Sequence, residues 1–160
     1  MKGTIMRLAL ALLPALLMAS CATSNTATAI KYSFDMGASF PAQKTYAWGP
    51  SATGLYARDP LLEANVRALA DRDLAQKGFS VTSGSPDLRI AMAYEAPVGI
   101  NGDSYQLRAL NLYVYRADTR DMVWRGSAIG TVSTDADSGE LKRVVLGILA
   151  NFPPKAGASP

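Results

Sequence analysis

Hydrophobic and polar positions along the 160-residue chain change period several times, and each change predicts an element. From Lys31, Tyr32 and Phe34 alternate with Lys31, Ser33 and Asp35, the period-2 pattern of a short half-buried strand. Lys44 to Trp48 repeats the alternation through Tyr46 and Trp48, and Gly49-Pro50 stops it. Asp59-Pro60 then predicts a helix start, since an Asp side chain accepts from free first-turn amides and Pro suits the first helical position. That helix runs to about Lys77. Leu62, Val66, Leu69, Ala70 and Leu74 form one stripe at 3.6-residue spacing, Glu63, Arg67, Asp71 and Arg72 fall mostly elsewhere, and Gly78 supplies a left-handed stop.

Phe79 to Thr82 reads as a short strand and Ser83-Gly84-Ser85-Pro86 as a turn. Leu88, Ile90, Met92 and Tyr94 alternate with Arg89, Ala91, Ala93 and Glu95. Beyond a loop containing Pro97, Gly99 and Asn101-Gly102, the alternation resumes through Leu107, Leu110, Leu112 and Val114 to Arg116, predicting a long-looped hairpin. Asp118 to Asp121 turns the chain into Met122 to Ser133, where Trp124, Gly126, Ala128 and Gly130 share one face. Small residues there either leave space beside the Trp or permit a bulge. Asp137 with Glu140 forms a capping box ahead of a helix carrying Leu141, Val144, Val145, Ile148 and Leu149 to about Asn151, and Pro153-Pro154 ends it. The order implies an α+β domain: a mainly antiparallel sheet of five or six strands with two helices packed on one face.

The N-terminus follows a different logic. Lys2 and Arg7 precede an apolar run from Leu8 to Met18, followed by the small residues Ala19 and Ser20. This is a signal-peptide profile, and at roughly 11 residues the run is too short to span a bilayer core, which takes about 20. Leu17-Met18-Ala19-Ser20-Cys21 resembles the lipobox of bacterial lipoproteins, with Met18 departing from the usual Leu, Val or Ile. The resemblance implies that Cys21 receives a diacylglycerol, that the leader is cut before it, and that the new amine takes a further chain such as palmitate. Each buried CH₂ contributes about 0.8 kcal/mol, so two or three chains anchor a protein to the bilayer without spanning it. The expected organisation is a signal peptide at 1–20, a flexible tether at 21–30, one domain at 31–154 and a disordered tail at 155–160. Ala22, rather than Asp, follows the Cys, which in a Gram-negative host favours the outer membrane, with the domain on the periplasmic side.

Charge and composition narrow the chemistry. The chain has 16 basic and 13 acidic residues, but Lys2 and Arg7 leave with the leader, so 14 stand against 13 and net charge makes no electrostatic case for nucleic acid or for a strongly anionic surface. His is absent, which removes imidazole catalysis and His metal ligands, and one Cys permits no intrachain disulfide. Counted from Asp135, an EF-hand-like loop would need Gly and a bidentate acid where Glu140 and Leu146 stand. Asp71 and Asp73 point about 200° apart on a helix and read as solvated charges. The Ser-rich stretches at 83–85 and 133–138 lack a recognisable base, and phosphate-cradling Gly loops are missing. No catalytic, metal or cofactor-binding residue is therefore expected. Tyr32, Phe34, Tyr46, Trp48, Tyr113, Tyr115 and Trp124 could form a glycan platform, but aromatics at alternating strand positions more often serve core packing and cross-strand pairing.

Seven fragments in order, Tyr32-Ser33-Phe34-Asp35 with nearby Phe40, Lys44-Thr45-Tyr46-Ala47-Trp48, Asp59-Pro60-Leu61-Leu62, Lys77-Gly78-Phe79, Pro86-Asp87-Leu88, Val123-Trp124-Arg125-Gly126 and Phe152-Pro153-Pro154, resemble the bacterial lipoprotein family known as domain of unknown function 4136. Ser33 stands where that family often has Asp, and Arg120-Asp121 where a Gly-Lys turn is common. The resemblance implies location and architecture, and carries no functional residues because the family has no established activity. The expectation is a periplasm-facing outer-membrane lipoprotein, held to the bilayer through Cys21, whose non-catalytic domain binds or scaffolds an envelope protein. One alternative is a small-ligand or lipid-binding module with a pocket near Gly126, Ala128 and Gly130. Another is an envelope hydrolase using Asp or Glu.

Overall fold

The period-2 segments pair into one sheet and the two 3.6-period segments cover it. The computed structural model describes residues 28–40, 42, 44–53, 58–95, 105–135 and 139–155. Among them the elements run β1 (Ala29–Phe34), β2 (Thr45–Trp48), α1 (Pro60–Gln76), β3 (Ser80–Val81), β4 (Leu88–Glu95), β5 (Gln106–Arg116), β6 (Met122–Ser133) and α2 (Glu140–Leu149). The sheet order is β1-β6-β5-β4-β2-β3. The fold is α+β, as expected, but the sheet is mixed. β1, β6, β5 and β4 are antiparallel neighbours, whereas β2 lies parallel to both β4 and β3. The parallel part follows from α1: a helix between β2 and β3 returns the chain to the end of the sheet where β2 began.

Cross-strand register defines the two faces. Phe34, Trp124, Val114, Ile90 and Trp48 form one row, and Tyr32, Gly126, Leu112 and Met92 the next, all turned toward the helices. α1 buries Leu62, Val66, Ala70 and Leu74 against this face, and α2 buries Leu141, Val144, Val145, Ile148 and Leu149. Phe152, just past α2, is 1% exposed and lies among Phe40, Phe79 and Trp124 at centroid distances of 5.6, 5.3 and 5.2 Å. Burying one such side chain contributes about 2–3 kcal/mol, so this aromatic cluster closes the core at one end.

The ends of α1 are set by local chemistry. One Asp59 carboxylate oxygen accepts from the amides of Leu61 and Leu62, each at 3.0 Å. At the other end Gly78 takes φ 85°, its amide bonds the Ala75 carbonyl, and the Phe79 amide reaches back to the Leu74 carbonyl, both at 3.0 Å. This pair of bonds closes the helix, and the Phe79 and Leu74 side chains on either side of it are buried in the core.

The start of α2 departs from the expected capping box. Gly139, at φ 64°, occupies the N-cap position with no side-chain cap, and Asp137 lies outside the described residues. The Glu140 carboxylate instead accepts from the Ser133 amide at 3.2 Å, which ties the helix to the end of β6. In β6 the register shifts so that Gly130 and Thr131 oppose Arg108 of β5, with Gly130 at φ 133°. Of the two sequence readings for these small residues, the bulge applies at Gly130.

Candidate functional site

The predicted pocket beside Trp124 is filled. A Cβ built on Gly126 would lie 2.3 Å from Cη2 of Trp124 and 2.6 Å from Cγ2 of Ile148. The indole lies over the glycine two residues along its own strand, and α2 presses Ile148 onto the same spot. At Gly126 the missing side chain of the expected pocket makes room for a neighbour, not for a ligand. Trp124 Nε1 is buried without a hydrogen-bond partner among the described residues.

The acidic residues converge less on one another than on structural partners. Glu63, which the helical stripe left outside the buried face, is 3% exposed. Arg58 Nε donates to its Oε1 at 2.9 Å, a second Arg58 nitrogen pairs with Oε2, and Arg67, one helical turn on, stands 3.8 Å away. Tyr94 donates its hydroxyl to Glu63 Oε1 at 3.3 Å and accepts from the Asp59 amide at 2.7 Å, while the Tyr105 hydroxyl donates to Asp59 Oδ2 at 2.9 Å. The Arg58 hydrogen bonds hold the Glu63 carboxyl below its ordinary range in spite of burial. Burial pushes the phenols of Tyr94 and Tyr105 upward. At neutral pH Glu63 is a charged carboxylate with its oxygens engaged, and the protonated Tyr94 phenol joins it to β4, while Tyr105, just before β5, holds the Asp59 cap of α1.

Asp71 and Asp73 are not the solvated charges that the helical wheel suggested. One Asp71 oxygen accepts from the Tyr46 hydroxyl at 2.6 Å and from Trp48 Nε1 at 2.8 Å, so it pins α1 to β2. Burial, then Asp71, drives the Tyr46 phenol far above its ordinary value. The Arg67 guanidinium sits 5.5 Å over the Trp48 ring and links this cluster to Glu63. Asp73, on another side of the helix, pairs with Lys77 at 2.7 Å. Asp87 accepts from the Lys44 and Thr45 amides at 3.1 and 2.9 Å and from the Thr45 hydroxyl at 2.7 Å, and these bonds, the Thr45 hydroxyl first, hold its carboxyl below the usual range. The sequence signal for these roles was weak. It amounts to a carboxylate on or beside a helix: Asp73 pairs within one turn, but the aromatic partners of Asp71 and Asp59 lie 23 to 46 residues away.

The other predicted positions separate. Cys21 and Asp137 lie outside the described residues, as do 136–138 of the second Ser-rich stretch. Ser133 accepts from the Asp135 amide at 3.2 Å. Among the described residues no group of His, Cys, Asp and Glu is placed to hold a metal ion, and no helix is long and apolar enough to cross a membrane. The aromatics form no single platform: Tyr46 and Trp124 are buried, whereas Tyr113 and Tyr115, 6.4 Å apart, occupy the face opposite the helices.

The edge strand β1 carries exposed apolar side chains. Ile30 and Tyr32 are 37% and 39% exposed on its helix-facing side. Ile30 reaches Gly147 of α2, next to exposed Leu146 in the chain. At the end of β1 a shallow cleft of about 230 Å³ is lined by Ser33, Phe34, Asp35, Met122, Val123 and Trp124.

The model of a family described as "Domain of unknown function (DUF4136)" matches residues 30–154. Solved structures share the fold at low identity. A PelC dodecamer from Paraburkholderia phytofirmans has a TM-score of 0.55 at 11% identity, covering 81% of this chain and 100% of that one. A DUF4136 family protein from Bacteroides thetaiotaomicron has a TM-score of 0.55 at 14% identity, with 78% and 94% covered. A PDZ domain protein from Parabacteroides distasonis reaches 0.55 at 16% identity, with 79% and 35% covered. No curated protein matches the chain.

Proposed function

Because the chain belongs to the DUF4136 family, whose domain has no assigned activity, we propose that it is an envelope lipoprotein whose domain binds or scaffolds another envelope protein and catalyses no reaction. Acylated Cys21 holds it to the outer membrane, with the domain facing the periplasm. The observation that carries the reading is the β1 edge. Among the described residues one side of this strand pairs with β6 and the other carries no strand, Ile30 and Tyr32 stand exposed on β1, and Ile30 lies against Gly147 of α2, which follows exposed Leu146 in the chain. A free strand edge with an apolar flank suits addition of a partner segment, in which backbone bonds supply affinity and side-chain contacts supply selectivity. The engagement of Asp59, Glu63, Asp71 and Asp87 in structural bonds supports a binding role over carboxylate catalysis. The PelC dodecamer provides an instance of this fold in an assembly.

The test is crosslinking in intact cells with mass spectrometry of the purified full-length protein, comparing it with Cys21→Ser and with Ile30→Glu/Leu146→Glu. The expected result is acyl mass on Cys21 and one envelope protein enriched by the parent alone. Cys21→Ser protein still bound to membranes contradicts the anchor, and enrichment that survives both charge substitutions contradicts the β1 surface.

A further inference from the structure

The sheet face turned away from the helices is uncovered by either helix and has a distinct composition. Register places Arg89, Tyr115 and Met122 in one cross-strand row and Ala91, Tyr113, Arg125 and Ser33 in the next. Lys31 and then Ile129 extend the same face along β1 and β6, and Glu95 sits at its corner. Lys31, Arg89 and Arg125 are exposed and form no ion pair among the described residues. Glu95 is the carboxylate within these rows, and Asp35 and Asp87 flank them at the strand ends, each engaged with backbone amides. Met122 and Ile129 are each 47% exposed, and the Tyr113 and Tyr115 rings lie 6.4 Å apart between the cations. Cations on long stems, amphipathic phenols and exposed apolar side chains on one surface match a layer that is anionic outside and apolar just beneath.

Chain length says what lies opposite. β1 contributes Lys31 and Ser33 to this face and begins at Ala29, eight residues after Cys21. Fully extended, that stretch spans at most about 28 Å. A domain tethered so closely meets the membrane at high effective concentration. We infer that the open face of β1, β6, β5 and β4 docks on the anionic phospholipid surface of the membrane that carries the Cys21 anchor. The inference rests on the acylation in the proposed function and is independent of the protein partner.

The experiment places a photoreactive benzoylphenylalanine at Tyr113, or at exposed Leu61 on α1 as control, in the full-length lipidated protein. The protein is reconstituted in phosphatidylcholine vesicles with or without phosphatidylglycerol, floated, irradiated and read by mass spectrometry. Phospholipid adducts are expected at Tyr113 about tenfold above Leu61 when phosphatidylglycerol is present, and to fall about tenfold in Arg89→Glu/Arg125→Glu, whose melting temperature stays unchanged because both side chains are exposed. Equal adducts at the two positions, or adducts indifferent to phosphatidylglycerol and to charge reversal, overturn the docking face. So does crosslinking at Tyr113 in intact cells that yields protein alone, which assigns the face to an acidic partner. Protein that fails to float sinks the anchor itself and the docking face with it, whereas protein that floats without a Tyr113 adduct sinks only the latter.

Discussion

Replacing Gly126 by Ala adds one methyl group where its carbon would sit 2.3 and 2.8 Å from Cη2 and Cζ2 of Trp124 and 2.6 Å from Cγ2 of Ile148. Carbon atoms in contact normally stand about 3.5–4.0 Å apart, so roughly an ångström must be found on two sides at once. Neither neighbour is free to give. Trp124 is 1% exposed and packs edge-on against Phe152, and the Ile148 methyl branches from a helical Cβ, so it moves only with α2. Overpacking a tight core typically costs 1–3 kcal/mol, and the two rigid contacts place this substitution at the upper end, about 3 kcal/mol. The reduced entropy of the unfolded chain returns no more than about 1 kcal/mol of that. For a domain of this size the net loss lowers the melting temperature by roughly 10 °C. Urea denaturation followed by tryptophan fluorescence and circular dichroism measures it directly. Trp124→Leu alone opens a cavity, but combined with Gly126→Ala it should cost about 1–2 kcal/mol less than the sum of the two, because the new methyl enters the vacated space. A loss below about 0.5 kcal/mol for Gly126→Ala, or strict additivity, would refute the placement of the indole over Gly126 and restore a ligand pocket there.

Glu63 predicts a pH dependence. Its carboxyl is held low chiefly by Arg58, so the folded state keeps it ionised where the unfolded chain binds a proton; its contribution is full above the ordinary carboxylate range and lost as pH falls through the lowered folded value. Glu63→Gln should therefore cost about 1–2 kcal/mol at pH 7, discounted because Arg58 is largely exposed, and flatten the acid limb of urea midpoints measured from neutral to acid pH. An unchanged acid limb counts against the pair. Asp71→Ala strands two donors, Tyr46 hydroxyl and Trp48 Nε1, and should cost about 2–3 kcal/mol with a red shift of Trp48 emission. Adding Tyr46→Phe to that variant should recover part of the loss, and failure to recover any would show that Asp71 is not the acceptor that matters.

Much of the architecture was legible because it is written in short-range chemistry. Alternation located β4 at Leu88–Glu95 and β6 at Met122–Ser133, and Asp59 and Gly78 marked the ends of α1. Each of these signals acts within one to four residues of itself, through side-chain alternation, an amide in reach of a carboxylate, or a φ that only Gly adopts without strain. Ordered fragments from Tyr32 to Pro154 also identified the family. Hidden from the sequence were the parallel direction of β2, the burial of Glu63, the double acceptor role of Asp71 and the indole lying over Gly126. Periodicity says which face of an element is buried, but not which distant element covers it. Tyr46 and Asp71 are 25 residues apart, and Tyr94 and Glu63 are 31. Whether a small residue leaves a cavity or admits a neighbour, and whether a helical carboxylate meets water or a phenol, is decided only when segments that far apart pack together.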